Sequence, residues 1–165
     1  MILIVMGVAG SGKTTIGKML ARRLACKFYD ADDFHSPANV AKMHSGVPLT
    51  DEDRAAWLDA LARLIGENLA NHQSMILACS ALKASYRKRL QSRAPRHSNE
   101  VQFIYLRITP EVARERTAAR KNHFMPPELI ASQFATLEEP TDALIVDASL
   151  TPTKIVGEIQ KKLPA

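Results

Sequence analysis

The sequence predicts an α/β fold, in which helices cover both faces of a parallel β-sheet. Two observations indicate this class: short apolar runs typical of buried strands recur along the chain, and segments with helical signals separate them. The apolar runs are Ile2–Met6, Lys27–Tyr29, Met75–Cys79, Val101–Leu106 and Ala143–Val146. Because no repeat, low-complexity tract or linker interrupts this alternation, we expect one domain over residues 1–165.

The first apolar run has two possible explanations. A secretory signal needs a basic leader before its apolar stretch, whereas Lys13 and Lys18 follow Ile2–Met6. A buried parallel strand needs only the apolar run and a turn after it, and the glycine-rich segment that begins at Gly7 supplies that turn. We therefore expect a strand that leads into a loop.

Helix-initiation signals mark several of the segments between the strands. Thr50 precedes three acidic residues and then apolar residues at helical spacing, which predicts a capped helix. The pair Thr109-Pro110 places a cap and a first-turn proline at the start of another helix. Pro126-Pro127-Glu128 predicts a third helix, and Thr15–Leu24 predicts a helix directly after the glycine-rich turn.

The composition is that of a globular protein, with 46% hydrophobic and 24% charged residues. No apolar run approaches the ~20 residues that cross a bilayer, so we expect no membrane partner. Cys26 and Cys79 fit no metal-binding spacing, which favours reduced thiols and a cytoplasmic location. The net charge of +5 suits anionic small molecules and would also suit nucleic acid. Few aromatic residues lie among the basic ones, however, so we expect no nucleic-acid partner.

The segment from Gly7 to Thr14 matches the phosphate-binding pattern G-x-x-x-x-G-K-[ST] at every position. Its glycines allow the backbone to wrap a phosphate with N–H groups pointing inward, and the helix after it adds a favourable dipole. In such a loop the lysine, Lys13, contacts the outer phosphates and the hydroxyl of Thr14 binds Mg²⁺. We therefore expect ATP and Mg²⁺ as cofactors. The candidate nucleotide-binding residues are Gly7, Val8, Ala9, Gly10, Ser11, Gly12, Lys13, Thr14 and Thr15.

Acidic residues follow the second apolar run, in the sequence Asp30-Ala31-Asp32-Asp33. Carboxylates at alternate positions after a strand can divide two tasks, because one can order a Mg²⁺-bound water while the other accepts a hydroxyl proton. Beside a phosphate loop this pattern favours a small-molecule kinase. A motor or GTPase would carry an aspartate after the third apolar run or an Asn-Lys-x-Asp segment, and both are missing from the sequence. We expect Asp32 to be the base and Asp30 the ligand of the metal-bound water, but the two roles could be exchanged.

Lys83 and Arg87 follow the third apolar run and are spaced four residues apart, so we expect them to share a helix face. Open α/β sheets bind their ligands beyond the carboxyl ends of the strands, which is where this helix would begin. Two cations there suit a carboxylate or a phosphate. The sequence therefore predicts that Lys83 and Arg87 bind an anionic group of the substrate.

These segments together resemble the gluconate kinase (gluconokinase) family. The resemblance rests on Gly7–Thr14, FYDADDFH (Phe28–His35), KMHSGVPLTDEDRAAWL (Lys42–Leu58), ACSALKASYRKRL (Ala78–Leu90) and HFMPPELIASQFATLEEP (His123–Pro140). It implies a three-layer P-loop kinase fold with a five-stranded parallel sheet and a mobile lid, similar to that of shikimate kinase. It also implies a homodimer that uses ATP to phosphorylate D-gluconate at the C6 hydroxyl, giving 6-phospho-D-gluconate and ADP.

The resemblance also implies roles for residues in the second half of the chain. The lid would span roughly residues 116–138, and its closure would bring an arginine onto the transferred phosphoryl group and exclude water. We favour Arg120 for that role, with Arg116 as the alternative. The candidate catalytic residues are then Lys13, Asp32 and Arg120. The candidate substrate-binding residues are Asp32, His35, Lys83, Arg87, His123 and Gln133.

Overall fold

Five parallel strands form the centre of the computed structural model, which describes residues 1–96, 98–120 and 125–163. In chain order they are β1 (Ile2–Met6), β2 (Lys27–Asp30), β3 (Met75–Ala78), β4 (Val101–Arg107) and β5 (Leu144–Asp147). They are hydrogen-bonded in the order β2-β3-β1-β4-β5, and each pairing is parallel. The predicted parallel sheet is confirmed, and each strand begins and ends within one residue of the predicted bounds.

Seven α-helices and one short 3₁₀ helix (Ala31–Phe34) flank these strands in the described part of the chain. The α-helices are α1 (Lys13–Arg23), α2 (Pro37–His44), α3 (Asp51–Ala70), α4 (Ala84–Leu90), α5 (Pro110–Ala118), α6 (Pro127–Thr136) and α7 (Pro152–Lys162). Two of them, α2 and α7, were not predicted, although each begins with a hydroxyl residue followed by proline, as α5 does. None of the described helices is long and apolar enough to cross a membrane.

The start of α3 is fixed by the cap that the sequence predicts. The hydroxyl of Thr50 accepts a hydrogen bond from the backbone N–H of Asp53, whose carboxylate accepts one from the N–H of Thr50. This reciprocal capping box satisfies two backbone donors that the first helical turn would otherwise leave unpaired. Lys42 of α2 also binds the Asp53 carboxylate at 2.8 Å. The cap therefore sets where the side chains of the first turn of α3 lie.

Two apolar layers, one on each face of the sheet, hold the helices in place. Along β1 the side chains alternate: Leu3 and Val5 pack with residues of α1 and α7, whereas Ile4 and Met6 pack with residues of α3. All five residues of β1 are buried, because both faces of this central strand are covered. The result is the three-layer α/β arrangement that was predicted.

The position of β1 determines where a ligand can bind. β1 lies between β3 and β4, so the chain leaves it toward one neighbour and later returns on its other side. In open parallel sheets the crevice at such a switch point, beyond the carboxyl ends of the strands, binds the ligand. The loop after β1 and the 3₁₀ helix after β2 both lie at that edge.

The close approach of α1 to β2 leads to a first prediction. A Cβ at Gly17 of α1 would lie 2.6 Å from Cε2 of Phe28, so Gly17→Ala would force the helix away from the strand. We expect Gly17→Ala to lower the free energy of unfolding by roughly 1–3 kcal/mol, measured by chemical denaturation.

Gly157 in α7 is the matched control, because a Cβ at that position meets nothing within 4 Å. Gly157→Ala should raise the free energy of unfolding by up to about 1 kcal/mol, the difference in helix propensity between the two residues. A Gly17→Ala protein as stable as the wild type would contradict the packing of α1 on Phe28.

Candidate active site

The phosphate loop, Gly7–Thr14, turns the chain from the buried end of β1 into α1. Gly10 and Gly12 have φ angles of +81° and +91°, which residues with a side chain seldom adopt. Gly10 also lacks space for a side chain, since a Cβ there would lie 2.9 Å from the carbonyl oxygen of Ala113 in α5. The loop therefore depends on its glycines both for its curvature and for its close contact with α5.

Lys13 is the first residue of α1, and its side chain folds back over the phosphate loop. Its ammonium group donates a hydrogen bond to the carbonyl oxygen of Val8 at 3.0 Å. Burial lowers the pKa of Lys13, and the negative charge of Asp32 is the largest influence that raises it. An ammonium group has three N–H donors, so Lys13 can hold the Val8 carbonyl and still donate to an anion in the loop.

Thr14 and Asp30 meet beside the loop. The hydroxyl of Thr14 donates to Oδ2 of Asp30 at 2.8 Å, and Oδ1 of Asp30 accepts from the backbone N–H of Asp32 at 3.1 Å. Hydroxyl and carboxylate oxygens are the hard ligands that Mg²⁺ takes, usually together with water and phosphate oxygens. The pair fits such a site. In the described residues no group of three His, Cys, Asp or Glu side chains could hold a metal, so a cation here would depend on the phosphates.

Asp32 lies in the 3₁₀ helix after β2, on the same edge of the sheet as the phosphate loop. Its charge raises the pKa of two groups, Lys13 and Cys79, so its carboxylate lies near both. Burial raises the pKa of Cys79 to about 12, so this thiol is protonated at neutral pH and does not act as a base. Asp32 is an exposed carboxylate facing the lysine of the loop, the position that a base acting on an incoming hydroxyl requires.

His35 lies beside Asp32 and packs on Trp57. Its backbone N–H donates to the carbonyl oxygen of Asp32 at 3.3 Å, and its ring stacks on Trp57 with the centroids 4.3 Å apart. Trp57 in turn donates from Nε1 to the carbonyl oxygen of Ala31 at 2.7 Å. Burial, with a further effect of the positive charge of Arg54, lowers the pKa of His35 to about 4. The imidazole is therefore neutral at pH 7, and its Nδ1 has no hydrogen-bond partner among the described residues.

The sequence predicted that Lys83 and Arg87 share a helix face and bind one anionic group of the substrate. In the structure the two side chains have different partners. Lys83 is the N-cap residue of α4 and pairs with Asp51 of α3 at 3.0 Å. Arg87 is 7% exposed, and its Nη1 donates to the carbonyl oxygens of Ala81 and Leu82. These contacts give Arg87 a structural task, since they satisfy two carbonyls of the turn that follows β3. Binding of a substrate carboxylate by Arg87 remains a prediction that these contacts do not favour.

Gln133 of α6 lies at the phosphate loop rather than at the acceptor side. Its Oε1 accepts a hydrogen bond from the backbone N–H of Ala9 at 2.7 Å. Arg116 of α5 binds the next residue of the loop, donating from Nη1 to the carbonyl oxygen of Gly10 at 3.4 Å. The end of α5, where the predicted lid begins, and α6, which lies within it, are thus both tied to the phosphate loop. The predicted contact of Gln133 with a sugar acid is not favoured by this arrangement.

Arg120 follows α5 and is exposed. Its charge lowers the pKa of Lys13, which indicates that its guanidinium lies on the same side of the loop as the lysine. The charge of Arg116 acts instead on Asp147, whose pKa is lowered chiefly by a hydrogen bond from Ser149. Arg116 also contacts the loop directly, at Gly10, so both arginines lie near it and the preference for Arg120 stays a prediction. His123, the remaining candidate, lies outside the described residues.

Lys83 belongs to a group between α3 and α4 whose other members, Asp51, Arg54 and Tyr86, the sequence analysis did not select. Arg54 donates from Nη1 to the hydroxyl of Tyr86 at 3.0 Å and to the carbonyl oxygen of Leu49 at 2.8 Å. The Tyr86 hydroxyl donates to Asp51, which also pairs with Lys83. Asp51 and Tyr86 are 35 residues apart, so no local spacing in the sequence indicated that these residues meet.

Comparison with known proteins decides the family. The chain is 44% identical over 153 residues to a protein of Mus musculus named "Probable gluconokinase", and the match covers 85% of this chain and 83% of the mouse protein. The chain belongs to the gluconokinase family. A family model described as an AAA domain matches residues 2–140.

Solved structures agree with this assignment to the gluconokinase family. A gluconokinase from Sinorhizobium meliloti 1021 has a TM-score of 0.82 and 40% identity, over 94% of this chain and 87% of that one. An unliganded sugar kinase from Janibacter sp. HTCC2649 has a TM-score of 0.88 and 41% identity, over 97% and 92% of the two chains. The protein is therefore a kinase with a P-loop fold, and the predicted fold and family are confirmed.

Proposed function

We propose that the protein transfers the terminal phosphoryl group of ATP to the C6 hydroxyl of D-gluconate, giving 6-phospho-D-gluconate and ADP. One observation carries the proposal most strongly. The phosphate loop with Lys13, the Thr14–Asp30 pair and the exposed carboxylate of Asp32 all meet at one edge of the sheet. Membership of the gluconokinase family supports gluconate as the acceptor.

In the proposed mechanism the phosphate loop binds ATP. Backbone N–H groups of the loop and the N-terminus of α1 would stabilise the phosphates, and Lys13 would neutralise charge on the outer ones. Thr14 would hold Mg²⁺ directly and Asp30 would hold it through a water, since both oxygens already lie 2.8 Å apart beside the loop. Bound Mg²⁺ would withdraw charge from the phosphoryl oxygens.

The proposed base is Asp32. Its carboxylate lies close to Lys13 and is exposed, so a hydroxyl of the acceptor can reach it. Asp30 is assigned the other role, because its Oδ2 accepts from the hydroxyl of Thr14, the proposed Mg²⁺ ligand. Asp32 would accept the proton of the C6 hydroxyl as that oxygen attacks the phosphorus.

We also propose that roughly residues 116–138 close over the bound substrates as a lid. Arg120 would then stabilise the negative charge of the transferred phosphoryl group, and the lid would exclude water, the competing acceptor. The position of Arg120 near Lys13 supports this role.

We also propose that the protein is a homodimer and lies in the cytoplasm. The free thiols Cys26 and Cys79 support the cytoplasmic location.

The experiment that tests the proposed function measures ADP formation from MgATP with a panel of acceptors. We expect D-gluconate to be the best substrate, ahead of other sugar acids, shikimate, sorbitol and glucose. The Lys13→Ala protein is the control, because loss of the phosphate-binding lysine should remove the signal. ADP formation that is highest with shikimate, or that depends on a polynucleotide, would refute the proposal.

The assignment of the two carboxylates gives a separate prediction. Asp32→Asn should lower kcat by roughly 10²–10⁴-fold, which is the usual contribution of a positioned general base. It should leave ATP binding nearly unchanged, because Asp32 is proposed to face the acceptor. Steady-state kinetics measures kcat, and calorimetric titration measures the affinity for ATP. Asp30→Asn is the comparison. It should raise the Mg²⁺ concentration that gives half-maximal activity, because Asp30 is proposed to hold the metal through a water. If Asp30→Asn lowers kcat more while Asp32→Asn is nearly silent, the two roles are reversed.

A further inference from the structure

Four side chains between α3 and α4, which we name the Arg54 cluster, carry one more positive than negative charge. Its members are Asp51, Arg54, Lys83 and Tyr86. Asp51 accepts hydrogen bonds from Tyr86 and from Lys83, and these bonds lower its pKa, so it is ionised at neutral pH. Lys83 binds this carboxylate directly, and the positive charge of Arg54 also acts on it, so two positive charges lie beside one negative charge. An additional anionic group bound here would balance the charge of the cluster.

The cluster lies beside the proposed acceptor position. Arg54 lies three residues before Trp57 on α3, so the two side chains share a face of that helix, and the ring of Trp57 stacks on His35. The backbone N–H of His35 is hydrogen-bonded to the carbonyl oxygen of Asp32, so the Trp57–His35 stack connects this face of α3 to the proposed base. A substrate whose hydroxyl reached Asp32 would have this face of α3, and with it Arg54, beside it.

Arg54 is held firmly enough to act as a recognition group. Both of its hydrogen bonds use Nη1, one to the hydroxyl of Tyr86 and one to the carbonyl oxygen of Leu49. The guanidinium also lies over the ring of Tyr86, with Cζ 5.4 Å from the ring centroid. A guanidinium has five N–H donors in a planar fork that matches a carboxylate, so Arg54 can keep these contacts and bind a ligand.

Arg87 is a weaker candidate for the same task. It is buried, and its Nη1 donates to two backbone carbonyls. The charges of Glu138 and Asp142 also act on it, so its positive charge already faces acidic residues of the chain. The anionic end of a substrate would have to compete with these groups.

We propose that Arg54, supported by Lys83, binds the carboxylate of the acceptor and so determines the preference for a sugar acid over an uncharged polyol. This inference rests on the proposed function and adds to it the residue that reads the carboxylate. The primary hydroxyl of gluconate is also present in sorbitol, so the reacting group does not distinguish the two. The enzyme must therefore distinguish gluconate from sorbitol at the end of the acceptor that is remote from Asp32, where gluconate carries its carboxylate.

The test compares kcat/KM for D-gluconate and for sorbitol in variants of the full chain. Arg54→Gln should lower the gluconate-to-sorbitol ratio by roughly 10- to 100-fold, since a hydrogen bond to a charged group has that effect on affinity. The change should appear mainly in KM for gluconate. Arg54→Lys should restore part of the ratio because it keeps the charge. Arg63→Gln, a change at an exposed arginine on the same helix, should leave the ratio unchanged.

Three other results would overturn the inference. Equal losses on both acceptors in Arg54→Gln, with a lowered melting temperature, would give Arg54 a purely structural role. A collapse of the ratio in Arg87→Gln but not in Arg54→Gln would assign the carboxylate to Arg87. Gluconate binding that is unchanged in Arg54→Gln, measured by calorimetric titration, would show that the guanidinium does not contact the carboxylate. A wild-type protein without activity on gluconate would instead refute the proposed function itself.

Discussion

The turn between β1 and α1 is the constraint on which the rest of the structure depends. Its backbone must curve tightly enough to direct N–H groups at an anion, which requires the left-handed conformations of Gly10 and Gly12. Its position must also be fixed, and burial of every residue of β1 between two neighbouring strands achieves that. Because Gly10 lies against Ala113 without space for a Cβ, α5 is placed by the same loop.

The site is assembled around this turn from segments that lie far apart in the sequence. The parallel order of the strands brings the ends of β1, β2 and β3 to one edge, so Lys13, Thr14 and Asp30 meet there. Gln133 reaches the same loop from 124 residues away, through a hydrogen bond to Ala9. Binding of a phosphate to the loop would therefore act directly on α6 as well as on α1.

The sequence was informative where a function depends on local spacing. The phosphate loop, the Thr50 cap and the strands follow from patterns of a few residues, so their positions could be predicted closely. The contacts that long side chains make could not be predicted, because they depend on residues that are distant in the sequence. Arg87 turns inward to backbone carbonyls, Gln133 turns to the phosphate loop, and Arg54 turns to Tyr86 of α4. No local pattern distinguishes these outcomes for polar residues on helix faces.

The central claim is that phosphoryl transfer at this loop goes to a primary hydroxyl of a sugar acid. The most direct test is ³¹P NMR spectroscopy of the product formed from D-gluconate and MgATP, recorded with proton coupling. A phosphate ester at C6 is predicted, and its phosphorus signal would be split by two equivalent or nearly equivalent protons of the CH₂ group. A signal split by a single proton would place the phosphate on a secondary hydroxyl, and an unsplit signal would indicate inorganic phosphate or an acyl phosphate. Either would contradict the proposed chemistry.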